Sequence, residues 1–137
     1  MNYHPGMMRG PMVVSAAAVL AFAATPAAAH AAPNSGCTYT LSPPRVVQLA
    51  GTSVVTATLS PAACDRSTTY LSVACVQLQG SSGPGQCAQG PGILPAQVFY
   101  QPYRPGATYV STGRGCANTG NPPQPVCQTT GPLTATL

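Results

Sequence analysis

The sequence predicts an all-β protein: a small β-sandwich that is stapled by disulfides and preceded by a signal peptide. Three observations lead to this class. Six cysteines occur in a short chain that opens with an export signal. No segment after residue 31 keeps a helical spacing of apolar residues, because Pro or Gly interrupts almost every window. Short runs rich in Val, Thr and Tyr alternate with turn residues instead, which is typical of strands.

Residues 1–31 have the three parts of a secretory signal peptide. Arg9 lies near the start without an acidic neighbour, residues 12–24 form an apolar run, and Ala29-His30-Ala31 has the pattern of a cleavage site. The apolar run is shorter than the ~20 residues that span a bilayer, and no later run is long enough either. We therefore expect cleavage after Ala31 or Ala29 and a secreted domain over residues 32–137. An uncleaved N-terminal anchor is the alternative.

The six cysteines all fall in the predicted secreted part, where an even number indicates a disulfide framework. They are Cys37, Cys64, Cys75, Cys87, Cys116 and Cys127. Among the 15 possible pairings, turn sequences favour Cys75–Cys87 across the Gly-rich residues 80–85 and Cys116–Cys127 across a Pro-rich segment. Cys37 is then left for Cys64. We do not expect a lipoprotein, because acylation of Cys37 would leave five other cysteines, an odd number in an oxidising compartment.

Charged residues make up 4% of the chain, against about a quarter in average proteins. The predicted secreted part carries four arginines and one aspartate, a net charge of +3, and no Lys, Glu or His. This charge is too sparse for a nucleic-acid partner. The sequence of this part also contains neither paired carboxylates nor a base that could activate a Ser nucleophile. It has no Cys-x-x-Cys motif that would bind a metal. We expect no catalytic residue, no metal site, no cofactor and no enzyme activity.

Seven strands can be placed along the secreted part. They are expected at residues 37–41, 46–49, 54–59, 70–78, 96–101, 108–112 and 133–137, with a turn at 61–67. Tyr39 and Leu41 share one face of the first strand, and Val55, Ala57 and Leu59 share one face of the third. The fourth strand is apolar on both faces, as a central strand is. About seven short strands separated by turns indicate an immunoglobulin-like β-sandwich.

The segment Gly106-Ala107-Thr108-Tyr109-Val110-Ser111 supports this layout. It resembles the Gly-x-x-Tyr-x-Cys stretch that leads into the penultimate strand of immunoglobulin-like domains. The resemblance implies that Tyr109 is a tyrosine corner, whose hydroxyl bonds to nearby backbone. Ser111 stands where that family has Cys, and the chain has no Trp for the usual core position.

Two loops are candidate binding sites. In residues 99–105, Tyr100, Tyr103 and Arg104 are the expected partner-binding residues, because Tyr and Arg dominate interface hot spots. The alternative is that Phe99 belongs to the core and the tyrosines cover the end of the sandwich. The second candidate is the Pro-rich loop at residues 118–125, which the Cys116–Cys127 disulfide would clip and stiffen.

As a whole, the chain resembles the small exported proteins of actinobacteria, which have an Ala-rich signal, a Lys-poor secreted part rich in Pro, Thr and Gly, and a few cystines. Enediyne apoproteins similar to neocarzinostatin and subtilisin-inhibitor-type proteins share this size and compartment, but no motif specific to either occurs here. Our first hypothesis is a secreted, non-enzymatic binding or structural module with a protein or cell-envelope partner. The alternatives are a protease inhibitor that uses the loop at 118–125 and a carrier of an apolar small molecule.

Overall fold

The computed structural model describes residues 36–137 as eight β-strands in two antiparallel sheets. The signal peptide and cleavage site predicted within residues 1–31 lie outside the described residues. None of the described residues belongs to a helix long and apolar enough to cross a membrane. The strands are β1 (Gly36–Leu41), β2 (Arg45–Leu49), β3 (Thr52–Asp65), β4 (Ser67–Leu78), β5 (Gln86–Pro91), β6 (Ala96–Tyr100), β7 (Thr108–Thr119) and β8 (Gln124–Thr136).

The long strand β3 is the centre of the first sheet. Both β1 and β2 pair with β3, at its second and first half respectively, and β6 also pairs with β3, from Val55 to Leu59. Pro43 and Pro44 separate β1 from β2 because proline cannot donate to a β-ladder. The backbone N–H of Ser42 still bonds to the Thr58 carbonyl at 2.9 Å, which keeps the interrupted strand in register. The strands predicted at residues 37–41 and 46–49, on either side of these prolines, are therefore confirmed.

The second sheet has the strand order β5-β4-β7-β8. The strand predicted to be central, β4, pairs with β5 on one side and with β7 on the other. The order of strands along the chain and their division between the two sheets are those of an immunoglobulin-like sandwich. The predicted all-β fold class is confirmed.

The core lies between the two sheets and follows the predicted alternation. Val55, Ala57 and Leu59 of β3 are fully buried there, and Leu41 of β1 is 8% exposed. Tyr39 packs against the same core. The other core residues include Ala74, Val76, Ala96, Val98 and Tyr109.

Two glycines of β7 make room for large side chains of the opposite sheet. A Cβ atom on Gly115 would lie 2.1 Å from the ring of Tyr39, and one on Gly113 would lie 2.6 Å from Leu59 Cδ1. Side chains alternate along a strand, so these glycines show which positions of β7 face the core.

Tyr109 is a tyrosine corner, as the resemblance implied. Its side chain is fully buried, and its hydroxyl oxygen accepts a hydrogen bond from the backbone N–H of Arg104 at 2.8 Å. Two residues further, the hydroxyl of Ser111 donates to the carbonyl of Ser42 at 2.9 Å. This bond links β7 to the edge of the other sheet.

Replacing Tyr109 by Phe should lower the free energy of unfolding by about 1–2 kcal/mol, because the Arg104 N–H loses its partner. Urea unfolding measures the change. Tyr103→Phe keeps a half-buried ring against Tyr109 and is the control, with an expected change below about 0.5 kcal/mol. Equal effects of the two substitutions would show that the corner hydrogen bond contributes nothing specific.

Each disulfide joins two residues that lie directly opposite each other on neighbouring strands. The pairs are Cys37–Cys64, Cys75–Cys87 and Cys116–Cys127, with Cα–Cα distances of 4.0, 4.1 and 4.0 Å. The pairing favoured by the turn sequences is confirmed, and residues 36–137 contain no free cysteine.

The largest differences from the prediction are in strands β3, β5, β7 and β8. The turn expected at 61–67 is wrong: β3 continues to Asp65, because a bulge opposite β1 accommodates Pro61 and Cys64 is held against Cys37. Arg66, with φ of 50°, makes the reversal into β4. Strands β7 and β8 are longer than expected because they form one hairpin. β5, which lacks β-branched residues, was not predicted and is held by pairing with β4.

Candidate functional site

The sheet β5-β4-β7-β8 has a face that points away from the other sheet. On β7, Tyr109, Ser111, Gly113 and Gly115 contact residues of the other sheet or the core. The alternate residues therefore face outward, together with their partners on the neighbouring strands. We call this surface the outer face. It comprises the exposed Cys87, Gln89, Arg114, Cys127 and Thr129, the half-buried Leu71, Val73, Cys75, Gln77 and Thr112, and the buried Val110 and Cys116.

Arg114 lies near the middle of the outer face. The register places Gln89, Val73, Arg114 and Thr129 in one row across the four strands. Val73 is half-buried, whereas the Arg114 side chain is exposed. All the other residues of the outer face are uncharged, so the guanidinium group is its single charge.

Disulfides lie in the rows on both sides of Arg114. One neighbouring row contains Cys75 and Cys87, and the other contains Leu71, Cys116 and Cys127. They covalently join β4 to β5 and β7 to β8. The relative positions of the side chains around Arg114 are thereby fixed, which lowers the entropy that a partner would have to remove on binding.

Exposed apolar side chains lie in the bulge of β4 and in the turn that follows β5. Tyr70, the extra residue of a bulge in β4, is 39% exposed, and its carbonyl accepts a hydrogen bond from Gly92 N–H at 2.9 Å. The turn that begins at Gly92 carries Ile93 and Leu94, which are 72% and 59% exposed and are the two most exposed large apolar residues described. Exposed apolar patches are typical of interaction surfaces.

The predicted binding loop covers the end of the core. Tyr100 and Tyr103 are half-buried, and their ring centroids lie 5.5 and 6.5 Å from that of Tyr109. The side chain of Gln86 bonds to both the N–H and the carbonyl of Gln101, at 3.2 and 2.8 Å. Arg104 is exposed. A role of these three side chains in binding stays a prediction, since two of them already pack on the core.

Phe99 is not a core residue. It is 37% exposed and alternates with the buried Val98, so it faces outward from the first sheet. The part of the alternative that placed Phe99 in the core is wrong. The sequence could not show this, because Val98 and Phe99 are both apolar and a shift of one residue exchanges the two faces.

The predicted loop at residues 118–125 is a tight hairpin. Asn118 pairs with Pro125 and Thr119 with Gln124, so only residues 120–123 form the turn. The pairing follows from the Cys116–Cys127 disulfide, which holds the two strands in register immediately before it. A four-residue turn offers little of the extended backbone that strand-like peptide recognition needs, so this geometry gives no support to the inhibitor alternative.

Sequence reasoning did not identify the outer face as a candidate site. The signal was present in the alternation of Val110, Thr112, Arg114 and Cys116 along one strand. Its significance depends on the register with β4, which places Val73 beside Arg114.

Among residues 36–137 no group of His, Cys, Asp or Glu side chains could hold a metal ion, and no ligand-sized cavity is found there. The carrier alternative therefore has no observation in its favour. The outer face instead offers a rigid, nearly neutral surface with one cation. Comparisons of the chain with protein-family models, with curated proteins and with solved structures give no match.

Proposed function

We propose that this chain is an exported, non-enzymatic binding module that contacts its partner through the outer face. The observation that carries the proposal is a sheet face held by two disulfides and uncharged except for Arg114, in a protein that also exposes apolar side chains in the β4 bulge and in the turn after β5. Interface cores are depleted in Lys, Glu and Asp and enriched in aromatic residues and Arg. The outer face lacks Lys, Glu and Asp and carries Arg114, and the one aromatic side chain close to it is Tyr70 in the bulge of β4.

Export is supported by the disulfides. Three disulfides within 102 described residues are typical of proteins that fold in an oxidising compartment. The charged, apolar and small-residue segments in residues 1–31 agree with secretion. We place the folded protein outside the cell or at the cell surface.

The absence of enzyme activity is proposed from the composition. After residue 31 the sequence contains one acidic side chain, Asp65, and neither His nor Lys. Its six cysteines are all paired, so none can act as a thiolate nucleophile. The remaining hydroxyl groups lack a basic neighbour that would activate them.

Site-specific photo-crosslinking tests the proposal. The protein has no Lys, so amine-reactive reagents cannot label its folded part, and a benzophenone amino acid is introduced instead. At Thr129, beside Arg114 in the outer face, illumination on the producing cells and their medium should give one adduct of defined mass. At Gln97, an exposed residue of β6 in the other sheet, it should give none. Adducts from neither position, or equally from both, would contradict the proposal.

A further inference from the structure

We infer that the partner is a protein that places a carboxylate against Arg114. This inference rests on the proposed function and names the partner's chemistry. It comes from three properties of the described residues: the position of Arg114, the distribution of charge along the chain, and the neutral surroundings of the guanidinium group.

The position of Arg114 makes it the centre of any contact on the outer face. Val73 and Thr129 flank it on the neighbouring strands, and Thr112 and Cys116 flank it along β7. A partner that covers this row removes water from around the guanidinium group. A cation buried without a partner is strongly unfavourable, and a carboxylate compensates a guanidinium group best because it supplies both the opposite charge and two acceptor oxygens.

The chain itself does not provide that group. Its one acidic side chain is Asp65, which ends β3 in the other sheet and lies opposite Gly36. A second copy that docked through the same face would bring a second arginine instead of a carboxylate. Two copies that dock through this face therefore leave both arginines unpaired, and the carboxylate is assigned to a different protein.

The neutral surroundings of Arg114 favour a protein over an anionic polymer. Polymers such as nucleic acids are bound by several cations that displace counterions together, whereas the outer face has one cation. A single arginine is the kind of residue that dominates protein–protein hot spots, and the uncharged side chains around it can exclude water without contributing much binding energy themselves. The planar guanidinium group can bind both oxygens of one carboxylate, which a lysine ammonium cannot do.

Competition with the photo-crosslink at Thr129 tests the inference on the full chain. The adduct is formed on the producing cells and their medium in the presence of an unlabelled competitor that binds the same partner. The competitors compared are wild-type protein and the variants Arg114→Gln, Arg114→Lys and Arg45→Gln. Arg45 is an exposed arginine of β2 in the other sheet and is the matched control. Arg114→Gln should need roughly 30-fold more protein for half-maximal competition, Arg114→Lys an intermediate amount, and Arg45→Gln the same amount as wild type.

A second readout distinguishes a carboxylate from a merely structural role of Arg114. Competition by wild-type protein should weaken as the pH falls through about 4, where Asp and Glu side chains take up protons, while competition by Arg114→Gln should stay nearly constant. Because Arg114 is exposed, thermal unfolding should show that both Arg114 variants remain folded.

The outcomes separate this inference from the proposed function. If the adduct forms but Arg114→Gln competes as well as wild type, the carboxylate inference is wrong and the binding function stands. The inference is also overturned if the adduct is a second copy of this chain or resists proteases as a polysaccharide would. If the protein that carries the benzophenone amino acid at position 129 and no other substitution gives no adduct, the proposed function itself fails.

Discussion

Loss of the Cys37–Cys64 disulfide, in the double variant Cys37→Ala/Cys64→Ala, is expected to lower the free energy of unfolding by about 3.5 kcal/mol. The disulfide closes a loop with a sequence separation of 27 residues, the longest of the three. Loop-closure entropy in the unfolded chain therefore makes it the most stabilising. Cys37 is also 2% exposed, so its removal leaves unfilled space at the start of β1. Small domains often have only 5–15 kcal/mol of stability in total, and this variant should unfold at markedly lower urea concentration.

The Cys75→Ala/Cys87→Ala variant is the matched comparison. Its loop has a sequence separation of 12, which corresponds to about 2.8 kcal/mol, and Cys87 is exposed. Urea unfolding of the three proteins should rank them as wild type, then Cys75→Ala/Cys87→Ala, then Cys37→Ala/Cys64→Ala. If the Cys37–Cys64 variant were the more stable of the two, the edge strand β1 would not be held as we describe.

Replacing Gly115 by Ala should lower the free energy of unfolding by about 3 kcal/mol. The new Cβ would lie 2.1 Å from ring atoms of Tyr39, a distance that forces the ring or the strand to move. Tyr39 cannot move freely, because its ring packs against the core and its hydroxyl lies 3.2 Å from the Thr69 hydroxyl. Overpacking at this position therefore disturbs the contact between the two sheets.

A double-mutant cycle with Tyr39→Leu shows whether the ring is the cause. Tyr39→Leu destabilises the protein by itself, since it leaves space above Gly115. In that background Gly115→Ala should cost less than about 1 kcal/mol, because the smaller side chain leaves room for the methyl group. An equal cost of Gly115→Ala in both backgrounds would mean that the clash with Tyr39 does not determine the effect.

Much of the fold could be predicted because local signals agreed with one another. The Gly-rich residues 80–85 indicated that Cys75 faces Cys87, and the alternation of Val55, Ala57 and Leu59 with threonines indicated the buried face of β3. The role of Tyr109 was implied by the resemblance of residues 106–111 to the segment that leads into the penultimate strand of immunoglobulin-like domains. In each case the relevant contacts depend on a few neighbouring residues or on a simple period.

Features that depend on pairing between distant strands could not be predicted. Nothing in Gln86–Pro91 favours a strand, and β5 exists because β4 provides its partner. Pro61 reads as a strand terminator, yet a bulge accommodates it within β3. Strand propensity depends on the neighbours of a strand more than on its own residues.

Dependence on strand pairing also explains why the sequence predicted a binding site in residues 99–105 and not on the outer face. Tyr100, Tyr103 and Arg104 were selected for their residue types, which are those of binding sites, but two of the three pack on Tyr109. Nothing in the sequence around Arg114 indicates a binding site. Its position becomes apparent only when the register places it beside Val73 and Thr129, between rows that contain disulfides.

Mass spectrometry of the protein collected from the culture medium, cleaved after arginine without reduction, tests the account of an exported and oxidised sandwich most directly. Cleavage after Arg45, Arg66 and Arg114 separates the cysteines so that the pairing can be read from the fragments. We expect residues 32–45 to be linked to 46–66, while 67–114 and 115–137 each contain one internal disulfide. A free thiol, a link between 67–114 and 115–137, or an N-terminus that still carries residues 1–31 would contradict the account.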